Sequence, residues 1–404
     1  MTRRSTLTSG LICAAVLAIS SCGGSSSNTN SQTPTTPTGP NVQAITVNSG
    51  PAGNYANGAF TSVTVCVPGT STCQTIDGVL VDTGSSGLRI LSSVLTLSLP
   101  QQNASDGNPV VECLPFITSY TWGPVQTADI EIADEKASST PVQVLSDTDF
   151  TAPSSCTSNG SSSDTLANLG ANGLLGVSQF AQDCGPGCVQ ADNPPGSSPP
   201  NVYYECPSST GTCQSIWQAL SQQLQNPVTL FASDNNGVII ELPAATSPEA
   251  TLSGSLVFGI GTQSNNGLNG ATVYTTDANG DFTTSYNNNS YSQSFIDSGS
   301  NGIYFLTESQ TGIPTCPDMS DFYCPSGTDN LTATNQGTNG ASGGVSFSVA
   351  NADDLPDDAV LGQLAGPNTL SGFDWGLSFF YGRNLYTAIE GASTPGGTGP
   401  YWAY

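Results

Sequence analysis

The 404-residue chain contains no histidine. That excludes Ser-His-Asp and Cys-His nucleophilic centres and every histidine-ligated metal site. Hydrolytic chemistry in such a chain must run on carboxylates, Lys, Tyr, Ser or a carboxylate-bound metal. Basic residues are nearly as scarce, with 5 Lys and Arg against 30 Asp and Glu. A surface this acidic repels nucleic acid and anionic lipid headgroups, so both are discarded as partners. Its plainest consequence is solubility. Long helical periodicities are scarce too, and no C-x-x-C pair occurs.

What is abundant points to β structure. Gly 45 and Pro 27, with many Ser, Thr and Asn, imply frequent turns between short strands. The length suffices for two ordinary domains or one large one. The N-terminus reads MTRRSTLTSGLICAAVLAISSCGG. Arg3 and Arg4 form a basic region and Leu11 to Ile19 a short apolar run, too short for a permanent span, as in a signal peptide. Ile19-Ser20-Ser21-Cys22 resembles a bacterial lipobox, whose cysteine is lipidated after cleavage; a plain secretory signal is the alternative. Residues 1–21 are therefore expected to be a lipoprotein signal peptide, with Cys22 the lipidation site and Gly23 suggesting outer-membrane sorting, to the periplasm or the cell surface. Residues 22–45 read as a disordered Ser/Thr/Asn/Pro tether, reaching about 25 Å as a coil.

Of 12 cysteines, Cys13 would be cleaved off and Cys22 lipidated, leaving an even number for an oxidising compartment. Cys66/Cys73, Cys184/Cys188, Cys206/Cys213 and Cys316/Cys324 are close in sequence, with Cys113/Cys156 left over. Spacing alone leaves the connectivity open.

Two stretches repeat. LVDTGSSGLRIL (Leu80 to Leu91) aligns with FIDSGSNGIYFL (Phe295 to Leu306), matching Asp82 with Asp297, Gly84 with Gly299, Ser85 with Ser300 and Gly87 with Gly302. One D-S-G-S is cheap in a Ser/Gly-rich chain. Two, each between apolar flanks, are not. NGLLGVSQF (Asn172 to Phe180) likewise resembles FDWGLSFFY (Phe373 to Tyr381), matching Gly176 with Gly376 and Ser178 with Ser378. Duplicated halves imply two similar β lobes about a pseudo-twofold axis. Either acidic turn alone reads best as an Asx turn, in which Asp bonds its own backbone. The matched pair favours a facing dyad. Two carboxyls about 3 Å apart cannot both ionise, so they share a proton and their apparent pKa values split. One member can then take a proton from water while the other donates to a carbonyl oxygen.

The two D-[ST]-G-S turns, each followed by a hydrophobic-hydrophobic-Gly segment, resemble the pepsin-like aspartic peptidases over residues 46–404. The chain is also similar to bacterial lipoproteins of unassigned function. The resemblance implies an all-β, bilobal double barrel with a central cleft, an N-terminal lobe at 46–245 and a C-terminal lobe at 246–404. It implies Asp82 and Asp297 as catalytic acids. Ser85 and Ser300 would hold the outer carboxylate oxygens, Gly84 and Gly299 would allow close backbone approach, and Thr83 and Ser298 would cross-link the turns beneath. GSLVFGIGT (Gly254 to Thr262), FFYGRNLYTAIEG and YWAY look like further strands of the family. Arg89 stands where the family has an aromatic that supports a flap tyrosine. The candidate flap is FITSYTWGPVQTADIEI (Phe116 to Ile132), with Tyr120 the first flap candidate and Trp122 the second. A buried or cleft-facing Arg89 would pair with an acid, depress its pKa and disturb proton sharing.

TDANGDF (Thr276 to Phe282) places Asp277, Asn279 and Asp281 like the start of a calcium loop, but Asn288 stands where such a loop needs Glu, and a turn is the better reading. NADDLPDD (Asn351 to Asp358) reads as a solvated loop. Asp183 to Cys213 exceeds an ordinary connection and is either a cleft-shaping insertion or a stapled ornament. The expectation is a monomeric, lipid-anchored extracytoplasmic aspartic endopeptidase. It acts on a peptide or protein substrate, uses no cofactor or metal, and touches membrane through its lipid alone. The alternative is a pepsin-fold peptide-binding or surface protein without turnover, with a calcium-dependent adhesin a distant third.

Overall fold

The computed structural model describes residues 37–117, 119–146, 150–207 and 211–404. The expected signal peptide and Cys22 lie outside them. The apolar/polar alternation of the first half closes a six-stranded barrel. Its strands run Gly58–Cys66, Cys73–Asp82, Gly173–Val177, Ser86–Leu91, Glu135–Leu145 and Ser119–Ile132, which returns to Gly58–Cys66. Val63, Val79, Val81, Leu88, Ile90, Ile130 and Leu175 alternate inward and are buried together. The second half forms a nearly closed seven-stranded barrel. Its order is Ser342–Val349, Asp329–Gln336, Phe282–Tyr286, Asn289–Ile296, Phe373–Trp375, Ile303–Phe305 and Ala365–Gly366. Here aromatics fill the core: Phe305 stacks on Phe373 at 5.1 Å between ring centres, and Phe373 on Trp375 at 5.2 Å.

A sheet built from both halves joins the barrels. Val42–Asn48 pairs with Leu252–Phe258, and the order continues through Gly237–Leu242, Arg383–Ala388, Tyr401–Ala403 and Val273–Thr275. Ordered structure thus begins before residue 46. Asn41 is fully buried and donates to the Phe258 carbonyl at 2.8 Å, and Ile45 and Val47 turn inward. Pairing along both edges overrides the polar composition that suggested a tether there. The fold is all-β and pepsin-like, as the repeat predicts.

Ten cysteines form five disulfides, Cys66–Cys73, Cys113–Cys156, Cys184–Cys188, Cys206–Cys213 and Cys316–Cys324. So many disulfides point to an oxidising, extracytoplasmic compartment. Among the described residues no helix is long and apolar enough to cross a membrane. The long segment 183–213 is no detached ornament. Its strand Tyr203–Glu205 pairs with Val110–Pro115, the first arm of the Val110–Pro115/Ser119–Ile132 hairpin, and Gln214–Ser215 adds beyond it. Tyr203 and Tyr204 are buried by this addition.

Candidate active site

Each acidic turn sits where a barrel strand ends against a crossing strand. Cys73–Asp82 runs parallel to Gly173–Val177, with Asp82 opposite Gly176, and Ser86–Leu91 then passes antiparallel on the other side. In the second half Asn289–Ile296 runs parallel to Phe373–Trp375, and Ile303–Phe305 passes antiparallel. The crossing strand lies so close to the turn that its glycine admits no side chain. A Cβ on Gly176 would come within 2.7 Å of the Ser85 carbonyl oxygen, and one on Gly376 within 2.0 Å of the Gly302 oxygen.

The two turns meet. A Cβ on Gly84 would lie 2.7 Å from the carboxyl carbon of Asp297, and one on Gly299 would lie 2.8 Å from Oδ1 of Asp82. Each glycine therefore leaves the space that the opposite acid occupies. Beneath, the turns exchange bonds: the Thr83 N–H donates to Ser298 Oγ at 3.1 Å, and the Ser298 N–H donates to Thr83 Oγ1 at 2.9 Å. Thr83 Oγ1 donates to the Ile296 carbonyl at 3.3 Å, and Ser298 Oγ to that of Val81 at 2.7 Å. Both hydroxyls are buried, and this reciprocal grip fixes one turn against the other.

Above the grip each acid is held alike. The Gly84 N–H donates to Asp82 Oδ1 at 2.8 Å and the Gly299 N–H to Asp297 Oδ1 at 2.7 Å. Ser85 Oγ lies 2.5 Å from Asp82 Oδ2, and Ser300 Oγ 3.1 Å from Asp297 Oδ2. Burial holds the Asp297 carboxyl well above the usual carboxylate range, and the charges of Asp82 and of Asp374 add to it. The two carboxyls are brought together across the glycine gaps, and like charges brought together this way cannot both ionise.

The flap candidates lie elsewhere. Tyr120 pairs with Pro115 in its hairpin and packs with Trp122, Tyr204 and the Cys113–Cys156 bridge. Trp122 donates to the Phe150 carbonyl at 2.9 Å and meets Tyr204 edge-on at 5.3 Å. Neither is placed against the dyad, because the added strand at 203–205 gives both rings a core to enter. At the hairpin bend, Phe116 packs against the cluster of Phe60, Leu80, Ala171 and Leu174, as Tyr55 does. The tyrosine that feels both acids is Tyr55. Burial pushes its hydroxyl up, followed by the charges of Asp297 and then Asp82, and the hydroxyl lies 3.4 Å from the Gly299 carbonyl.

Arg89 does not reach the dyad either. It is wholly buried, donating to the Ser86 carbonyl at 2.8 Å, to Glu112 Oε1 at 2.6 Å and to Asp183 Oδ2 at 3.3 Å. Tyr203 donates to Asp183 Oδ1 at 2.7 Å. Burial pushes the Asp183 carboxyl well up, with Glu112 adding and Arg89 opposing. The cation is consumed by its own network behind the first turn.

Sequence reasoning missed Tyr55, Phe116 and Asp374. A signal existed for the first: YANGAF (Tyr55 to Phe60) and DANGDF (Asp277 to Phe282) are a third repeated stretch. Each precedes a barrel strand and crosses to the other half. Asn57 donates to Ser378 Oγ at 3.1 Å and to the Leu361 carbonyl at 2.8 Å, while Thr276 Oγ1 donates to Gln179 Oε1 at 3.1 Å. The 276–282 stretch closes as a turn, its Asp277 carboxylate accepting from the Asn279 and Asp281 N–H groups. The acidic run 351–358 is half exposed, with a 3₁₀ turn at Ala352–Asp354.

The family model described as "Protein of unknown function (DUF3443)" matches residues 37–404. No curated protein matches the chain in sequence. Among solved structures the chain is similar to the aspartic proteinase from Irpex lacteus, with a TM-score of 0.52 and 13% identity, over 90% of this chain and 96% of that one. At that identity the likeness speaks for the fold.

Proposed function

The chain belongs to that family of unknown function, and we propose that it is an extracytoplasmic aspartic endopeptidase, lipid-anchored through Cys22 to the outer membrane. The observation that carries this reading is the reciprocal seating of each acid in the glycine gap of the opposite turn. Asp297, held up by burial and by the charge of Asp82, is the member that keeps the shared proton. Asp82, bonded by the Gly84 N–H and the Ser85 hydroxyl, is the base that takes a proton from water as it attacks an extended peptide. Asp297 gives its proton to the carbonyl oxygen as the tetrahedral intermediate forms. Collapse of that intermediate passes a proton to the leaving amine. The grip of Thr83 and Ser298 keeps the two carboxyls facing through both steps.

The test is hydrolysis of a denatured protein mixture from acidic to neutral pH, read by mass spectrometry. Asp82→Asn and Asp297→Asn should each lower cleavage by roughly 10³-fold. No cleavage at any pH by folded protein would overturn the peptidase reading. Detergent, and not salt, should release the native protein from membranes if Cys22 is acylated. The packing of Phe116, at the hairpin bend, into an apolar cluster with Leu80 and Leu174 favours a second reading, a peptide-binding protein without turnover. Peptide binding that survives Asp82→Asn, with no wild-type cleavage, would establish it.

A further inference from the structure

The two halves differ at one buried position. Two residues before the glycine of each crossing strand stand Leu174 in the first half and Asp374 in the second. They occupy the same place in their sheets, Leu174 opposite Leu80 and Asp374 opposite Phe295. Leu174 joins an apolar cluster. Asp374 is 1% exposed and lies beside the dyad's second serine. Ser300 Oγ is 2.6 Å from Asp374 Oδ2 and 3.1 Å from Asp297 Oδ2, whereas Ser85 meets one carboxyl among the described residues, that of Asp82.

A hydroxyl carries one hydrogen. Ser300 can donate to one of its two carboxyl neighbours, and the other contact needs a hydrogen from the carboxyl itself. Asp374 is the better donor. Its Oδ1 is buried with no hydrogen-bond partner among the described residues, a costly state for an ionised oxygen. Among the described residues no cation offsets a charge there. Arg89 is bound to Glu112 and Asp183, and Lys136 to Asp129 and Glu131. Arg383 donates to the Phe379 and Tyr381 carbonyls and covers the Phe379 ring.

We propose that Asp374 is a positioning residue of the peptidase site: a neutral third carboxyl that donates to Ser300 Oγ and so commits the Ser300 hydrogen to Asp297. The inference rests on the peptidase reading for its consequence and on geometry for its protonation. The groups facing Asp374 are Asp297 and Ser300 from its own half's turn and Asp82 from the other turn. Tyr304, directly opposite in the neighbouring strand, faces it too, with Tyr55 and Asp321 beyond Tyr304. None is basic. Burial pushes the Asp374 carboxyl up to about 8, Asp82 adds to the rise, and the Ser300 bond opposes it.

Below that pH three carboxyls hold two protons and the site carries one negative charge. When Asp374 ionises, its carboxylate draws the Ser300 hydrogen away from Asp297 and adds a second negative charge beside the dyad. Asp374 therefore sets the alkaline limit of the site.

The experiment is a ¹³C NMR titration of aspartate-labelled protein, comparing wild type with Asp374→Asn. It reads protonation whether or not the protein cleaves peptides. The expected result is a carboxyl that stays protonated into neutral pH and vanishes in Asp374→Asn, while the signals assigned by Asp82→Asn and Asp297→Asn shift. If the vanishing signal titrates with the ordinary aspartates near pH 4, the proposal is wrong even for an active peptidase. A high-titrating Asp374 in a protein that never cleaves would sink the peptidase reading and leave the protonation standing. Where cleavage is found, the alkaline limb of kcat in Asp374→Asn should move up by about one pH unit or more, since the amide donates to Ser300 at every pH. Should Asp374→Asn fail to fold, Ser300→Ala reports on the same bond: it should shift the Asp374 signal in the titration, and an unmoved signal would reject the link.

Discussion

The first acidic turn rests on aliphatic packing and a buried ion network; the second rests on an aromatic stack with a third acid among its neighbours. The backbone bonds of the two turns are nearly interchangeable. Gly84 and Gly299 donate to their acids at 2.8 and 2.7 Å, and Thr83 and Ser298 trade places in the grip. Their surroundings are not. Behind Asp82, Arg89 ties Ser86 to Glu112 and Asp183. Around Asp297 no cation among the described residues pairs with the acids, and burial followed by the charge of Asp82 raises the Asp297 carboxyl. Duplication gives the two turns the same backbone bonds, and unlike neighbours give their acids different electrostatic surroundings.

The comparison can be broken hardest from the first half. Arg89→Leu removes the cation from beneath Glu112, whose Oε2 already lacks a partner among the described residues. An uncompensated buried acid should cost about 3–5 kcal/mol in denaturant unfolding, with partial recovery in Arg89→Leu/Glu112→Leu. A loss under 1 kcal/mol would mean that the network contributes little. The reciprocal glycine gaps allow a smaller and symmetric test. Gly84→Ala and Gly299→Ala each drive a methyl into the opposite carboxyl and should cost about 1–3 kcal/mol. They should also decouple the two titrations. Unchanged proton sharing in both variants would contradict the contact. The mildest test is the pH dependence of stability. Asp374, pushed up to about 8, and Asp281, pushed up to about 6 by burial and Asp277, hold protons in the folded chain that the unfolded chain has lost. Because the folded state binds more protons between pH 4 and 8, stability falls as pH rises through that window, by about 1.4 kcal/mol per pH unit for each whole proton. Asp281 is partly exposed and solvent screens its share. Asp374→Asn should flatten the slope; an equally steep slope in that variant would assign it to other acids.

The facing pair of turns was legible because a fold with two like halves leaves two copies of the turn in the sequence. The close cysteine pairs were legible because a hairpin brings together residues seven or eight apart, as in Cys66–Cys73 and Cys316–Cys324. Tyr55 and Phe116 were not, since nothing local says which loop crosses to the other half or where a hairpin bend comes to rest. Tyr120 and Trp122 were plausible by position, but the strand Tyr203–Glu205 arrives from far along the chain and gives them a core. Asp374 stood in view as the acid of DWG where the first half has LLG, and that mismatch was its signal.

By itself the sequence determined that histidine-based chemistry is absent, that one acidic turn occurs twice, and that the chain is built from paired β halves. It could do so because residue type, spacing and alternation act locally. Only the tertiary structure decided that each acid fills the other turn's glycine gap, that Arg89 spends its charge away from the cleft, and that Asp374 shares a hydroxyl with Asp297. Burial and charge–charge distance belong to the folded molecule, and these set where protons reside.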